Sequence, residues 1–94
     1  MLDDYVRETI ARVAQLLGDR LPAHPRGQQQ EAIVQALRQA EAASGGPLRD
    51  LWGHAAANAH AAAWIGAEAE TARDLWATVL DYAERASEAE NAAV

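Results

Sequence analysis

Histidine is the residue type on which metal binding or acid–base chemistry in this chain would depend, and the sequence contains His24, His54 and His60. His54 and His60 are six residues apart, about 120° on a helix, whereas two metal ligands on one helix need a spacing of three or four. The Glu-x-x-His pairs of di-iron bundles do not occur. The chain also lacks cysteine, which excludes thiolate chemistry and cysteine-ligated metals. The sequence therefore predicts no metal, no cofactor and no enzymatic activity.

Two interpretations of the histidines stay open. In the functional one, His54, Asn58 and His60 form a small ligand-binding or enzymatic pocket, with a pH-sensitive or general-base imidazole beside Trp64. In the structural one, which is the more common, each imidazole is hydrogen-bonded inside an alanine-rich helix. His24 lies in a proline-rich loop, where a lone surface histidine is the simplest interpretation.

The longest uncharged stretch of the sequence, residues 51–67, indicates an interaction surface. Seven alanines lie between positions 55 and 63, and alanine and glycine allow another backbone to come close. A helical wheel places a core face on one side and small or apolar residues, without a charge, on the other. This pattern is typical of a helix that is buried on several sides. The residues expected to contact a partner are Gly53, Ala57, His60, Trp64 and Ile65.

Trp64 has two possible roles. A tryptophan at the centre of an alanine surface is typical of an interface anchor, and a second layer of the same bundle could also cover it. The favoured function is a non-catalytic helical interaction or self-association module. Its partner is expected to be a protein, most simply a second copy of the chain.

Acidic side chains follow one another along the last predicted helix. The acidic stripe consists of Glu70, Asp74, Asp81, Glu84 and Glu88. In an alternative function, the chain is a small acidic inhibitor or decoy, of the anti-defence or nucleic-acid-mimic type, whose stripe imitates a phosphate backbone. In the more ordinary interpretation, the stripe is a solvated helix face, helped by the i, i+4 pair of Asp81 and Arg85.

The overall composition limits the remaining function classes. The 94 residues include 24 alanines and carry a net charge of −6, which corresponds to one helical domain, 1–94, without the basic stripe of a nucleic-acid-binding protein. All eight basic residues are arginine, which indicates a bacterial genome rich in GC. The start of the chain is acidic where a secretory signal is basic, and 51–67 is too weakly apolar to span a membrane. We therefore expect a cytoplasmic protein.

Hydrophobic periodicity predicts an all-α fold, a small bundle of four helices. The helices are predicted at about 3–20, 28–43, 47–66 and 68–86, with a frayed tail at 87–94. Gly18 and Pro22 end the first helix, Ser44-Gly45-Gly46-Pro47 separates the second from the third, and Gly66 is the expected break before the fourth. If the last two helices are continuous, the bundle has three.

Each predicted helix has an apolar stripe that predicts its core face. The stripes are Val6, Ile10, Val13 and Leu17; Ile33, Ala36, Leu37 and Ala40; Leu48, Leu51, Trp52, Ala55, Ala59 and Ala62; and Ala72, Leu75, Trp76, Val79, Tyr82, Ala83 and Ala86. The sequence Arg-Asp-Leu-Trp occurs at 49–52 and again at 73–76, and both of its tryptophans are predicted to be core residues.

Overall fold

A computed structural model describes residues 2–18, 29–65 and 70–92, and within these ranges the chain forms helices and no strand. The four helices are α1 (Leu2–Leu17), α2 (Gln29–Ala43), α3 (Gly46–Ile65) and α4 (Glu70–Ala92). The predicted all-α bundle of four helices is confirmed. None of these helices combines the length and the apolar character that a membrane crossing requires. The proline-rich segment with His24, and the expected break at Gly66, lie outside the described residues.

The predicted apolar stripes form the core of the bundle. Every stripe residue is buried or packs half-buried against the buried cluster. Trp52 and Trp76 are the two largest fully buried side chains, so they supply the volume that the many alanines cannot. One polar side chain, Thr9, is also buried, and its hydroxyl donates a hydrogen bond to the Tyr5 carbonyl oxygen at 2.9 Å.

The ends of α1 and α2 have local causes. Gly18 adopts a left-handed φ of 57° directly after Leu17, which ends α1 three residues before the predicted boundary. Residues 19 and 20 lie outside the described ranges. At the end of α2, the Ser44 hydroxyl donates to the Ala40 carbonyl oxygen at 2.8 Å and satisfies a group that has no helical partner.

The predicted frayed tail is wrong for residues 87–92, because α4 continues to Ala92. The physical reason is a contact that the periodicity of α4 alone does not reveal. The Trp52 indole N–H of α3 donates a hydrogen bond to Glu90 Oε1 at 3.0 Å, about one helical turn beyond Ala86, the last predicted core residue of α4. The last turns of α4 therefore lie against the first turns of α3.

Contacts between helices fix their directions. The Trp52–Glu90 bond and the stacking of His54 on Tyr82 show that α3 and α4 are antiparallel. Along α1 and α4, Arg73 lies over the Tyr5 ring and Arg12 pairs with Glu84, so these two helices are parallel. The helix α2 is antiparallel to α3, because Glu41 contacts Gly53 near the start of α3. The end of α3 therefore lies at the same end of the bundle as the starts of the other three helices.

Candidate interaction surface

The helix α3 has a buried face and an exposed face, and the exposed face ends in an aromatic side chain. Trp64 is 84% exposed and Ile65 is 40% exposed, while Ala57 and His60 on the preceding turns are also exposed. The expectation that α3 is buried on several sides is therefore wrong for the chain by itself. Among the described residues, no second layer of the bundle covers Trp64.

Gly53, the first predicted contact residue, already has a neighbour within its own chain. A Cβ atom at this position would lie 2.7 Å from Glu41 Oε2, so the missing side chain makes room for a carboxylate of α2. The other oxygen of that carboxylate accepts a hydrogen bond from Arg38 at 3.2 Å. Gly53 thus forms an α2–α3 contact within the chain and is half-buried, and its contact with a partner stays a prediction.

Towards the other end of the same α2–α3 seam, the surface opens into a groove beside Trp64. The groove has a volume of about 660 Å³. It is lined by Gln30, Glu31, Val34 and Gln35 of α2 and by His60, Ala63 and Trp64 of α3. Glu31 supplies a carboxylate and Trp64 supplies an aromatic ring, and among the described residues neither lysine nor arginine lines the groove. The α3-groove, as we name this space, thus combines polar and apolar side chains and carries the Glu31 carboxylate among its described lining residues.

The histidines of α3 lie on different flanks of that helix. The His54 ring stacks on Tyr82 of α4 with a centroid distance of 5.0 Å, and the Asn58 amide donates to the His54 carbonyl oxygen at 2.8 Å. His60 instead lines the α3-groove on the α2 side. The predicted pocket that would contain both imidazoles is therefore not formed, and the alternative of a buried packing histidine is also wrong, since both are exposed.

No group of three or more histidine, aspartate or glutamate side chains within the described ranges could hold a metal ion.

The acidic stripe of α4 is partly paired with arginine. Glu84 accepts a hydrogen bond from Arg12 of α1 at 2.8 Å, and Asp81 pairs with Arg85 at 3.0 Å. Both pairs are exposed, so each contributes little to stability. They nevertheless place two positive charges among the acids, and Glu70, Asp74 and Glu88 are the members of the stripe that lie exposed without an ion pair at the described surface. A continuous imitation of a phosphate backbone is weakened accordingly.

Sequence reasoning missed the half of the site that α2 contributes. Glu31 and Gln35 have the spacing of an ordinary solvated face, and Val34 lies beside the predicted core stripe. No pattern within α2 indicates that these residues line a groove with Trp64, because that depends on how α2 and α3 are aligned along their length. The charge-free stretch 51–67 was the one sequence feature that pointed to this region.

Comparisons of the chain with protein-family models, with curated proteins and with solved structures find no match in any of the three. Inference about function therefore depends on the geometry of the chain itself.

Proposed function

We propose that the chain is a non-catalytic helical module that associates with a second copy of itself through the exposed face of α3. The observation that carries this proposal is the 84% exposure of Trp64 at the end of a helix without a charge beyond Asp50. Tryptophan is strongly enriched among the residues that dominate binding energy at protein interfaces. Burial of an exposed tryptophan ring in a partner contact removes its apolar surface from water, which is favourable.

The chemistry of the α3 face suits a contact with an identical subunit. A two-fold symmetric contact uses the same patch on both copies, so the patch must be complementary to itself. Ala57 at its centre is small enough for two helices to come close, and residues 51–65 bring no charge that would be buried unpaired. The acids of α4 lie on another helix, which keeps most of the net charge of −6 away from the contact.

Replacing Trp64 with aspartate tests the proposal by sedimentation equilibrium. The wild-type chain is expected to form a dimer as its concentration rises, and the W64D variant is expected to stay monomeric because the contact would bury an unpaired charge. Trp64 is exposed in the chain by itself, so the variant should fold with a stability within about 0.5 kcal/mol of wild type.

The matched control is L16D. Leu16 is 36% exposed on α1, which packs against α4 and α2 and does not pack against α3 within the described residues. The control should dimerise like wild type. A wild-type chain that remains monomeric at high concentration, or a W64D variant that dimerises as well as L16D, would contradict self-association through α3.

The acidic inhibitor remains the alternative, and salt separates the two functions. A complex held by the acidic stripe weakens strongly as ionic strength rises, whereas an apolar contact around Trp64 persists. A cytoplasmic location, a bacterial source and the absence of direct nucleic-acid binding stay predictions from the sequence.

A further inference from the structure

We infer that the α3-groove of each copy binds Arg49 of the other copy, between the Trp64 ring and the Glu31 carboxylate. The inference rests on the proposed function, because it specifies the polar part of the same α3–α3 contact. It concerns two residues, Glu31 and Arg49, to which neither the core nor the described ion pairs assign a role.

The symmetry of the contact brings Arg49 to the groove. If two α3 helices pack antiparallel about a two-fold axis at Ala57, position 49 of one copy faces position 65 of the other. Both positions are eight residues from Ala57, about 12 Å along the helix at 1.5 Å per residue. Trp64 and the α3-groove therefore lie beside the partner's Arg49, and the symmetry repeats the contact at the other end.

Arg49 and the groove residue His60 lie on the same flank of α3, which is consistent with this contact. Arg49 is about 20° from His60 around the helix at 100° per residue, so both lie on the flank that faces α2. The two-fold axis lies midway between the two antiparallel α3 helices and runs perpendicular to them. It therefore places the α2 flanks of both copies on the same side of the dimer. Asp50 lies about 80° from His60 in the opposite rotational direction, off the α2 flank and near the direction of Ala57, so it is farther than Arg49 from Glu31 of the other copy.

The charges of the two ends are complementary. Arg49 is exposed near the start of α3, and its guanidinium makes no ion pair at the described surface. The other end has Glu31 in the groove and no basic residue in the last turn of α3. A guanidinium also binds the face of a tryptophan ring, so Trp64 and Glu31 offer the two contacts that arginine prefers.

Charge reversal tests the assignment by sedimentation equilibrium on the full chain. R49E and E31R should each weaken dimerisation by at least about tenfold, because every substitution replaces two symmetric attractions with two repulsions. The double variant R49E/E31R restores both pairs with their signs exchanged and should dimerise within about threefold of wild type. Both substituted positions are exposed, and helical circular dichroism checks that the three variants fold.

The matched control is R7E, alone and combined with E31R. Arg7 is exposed on α1, so R7E changes the net charge as R49E does but should not rescue E31R. The inference is overturned if R49E/E31R dimerises no better than the single variants, or if R7E/E31R is rescued equally well. If W64D abolishes the dimer while R49E and E31R leave it unchanged, self-association through α3 stands and the Arg49 contact is wrong. A wild-type monomer would overturn both.

Discussion

Trp52 and Trp76 each complete an Arg-Asp-Leu-Trp sequence and are equally buried, with no exposed surface on either residue. Their indole N–H groups differ. That of Trp52 donates to Glu90, whereas that of Trp76 is buried without an acceptor among the described residues. A buried donor that loses its water partners and finds no other costs about 1–3 kcal/mol. The same sequence therefore yields one satisfied and one unsatisfied tryptophan.

The two tryptophans should respond differently to phenylalanine. Both W52F and W76F remove ring volume from the core, which destabilises the fold. W76F also removes an unsatisfied donor, while W52F leaves Glu90 without its Trp52 contact. We expect the free energy of unfolding in urea to fall by about 1–2 kcal/mol less in W76F than in W52F. Equal losses, or a larger loss in W76F, would mean that the Trp76 N–H has a partner.

At the residue scale, the sequence correctly predicted the core residues, because the core face of a helix can be recognised within that helix alone. Periodicity within a helix places Val13, Ile33 and Trp76 in the core whatever lies opposite them. It leaves open whether Trp64 is covered, and it does not show that Glu41 lies against Gly53, because both depend on neighbouring helices. The α3-groove could not be predicted for the same reason: Glu31 and Trp64 share it only through the alignment of α2 with α3.

At the scale of elements, the last two turns of α4 are structural. They extend beyond Ala86, the last stripe residue, and reach the start of α3 through Glu90. Composition at 87–94 gives little apolar surface to bury, which is why the sequence predicts fraying there. A single charged acceptor supplies what apolar side chains do not, since hydrogen bonds to charged groups contribute about 1.5–3 kcal/mol.

Alanine at position 90 tests this function of the α4 end. E90A should lower the free energy of unfolding by about 1–2 kcal/mol, because the Trp52 indole loses this acceptor. E88A is the matched control: Glu88 is exposed two residues away, and removing either carboxylate relieves the same unfavourable interaction with the helix C-terminus. Chemical denaturation of both variants separates the two effects. An E90A variant as stable as E88A would show that residues 87–92 are helical without stabilising α3.

At the scale of the whole molecule, the four helices differ in how extensively they pack against the rest of the bundle. The helix α3 packs extensively against both α2 and α4, whereas α1 packs mainly against α4 and makes far fewer contacts with α2. The described side-chain links from α1 to α4 are the exposed Arg12–Glu84 pair and the Arg73 contact with Tyr5. Because exposed pairs contribute at most about 1 kcal/mol, α1 depends on its four-residue apolar stripe.

Native-state hydrogen exchange should reveal this inequality. Backbone amides of α1 are expected to exchange through a local opening that leaves α2, α3 and α4 folded, since few contacts are broken. Amides near Ala55 and Ala59 in α3 should exchange only through global unfolding. The comparison uses the W64D variant, which is expected to be monomeric, so that contacts of the proposed dimer do not protect α3. Equal protection in α1 and α3 would show that the bundle opens as a single unit.

The parallel arrangement of α1 and α4 also determines how the bundle resists a mechanical force. A pull applied at residues 2 and 92 acts on opposite ends of two adjacent helices and therefore slides one along the other. The load is then shared by the whole α1–α4 interface at once, in shear, instead of separating the contacts one after another. In a bundle whose first and last helices were antiparallel, the same pull would peel them apart from one end.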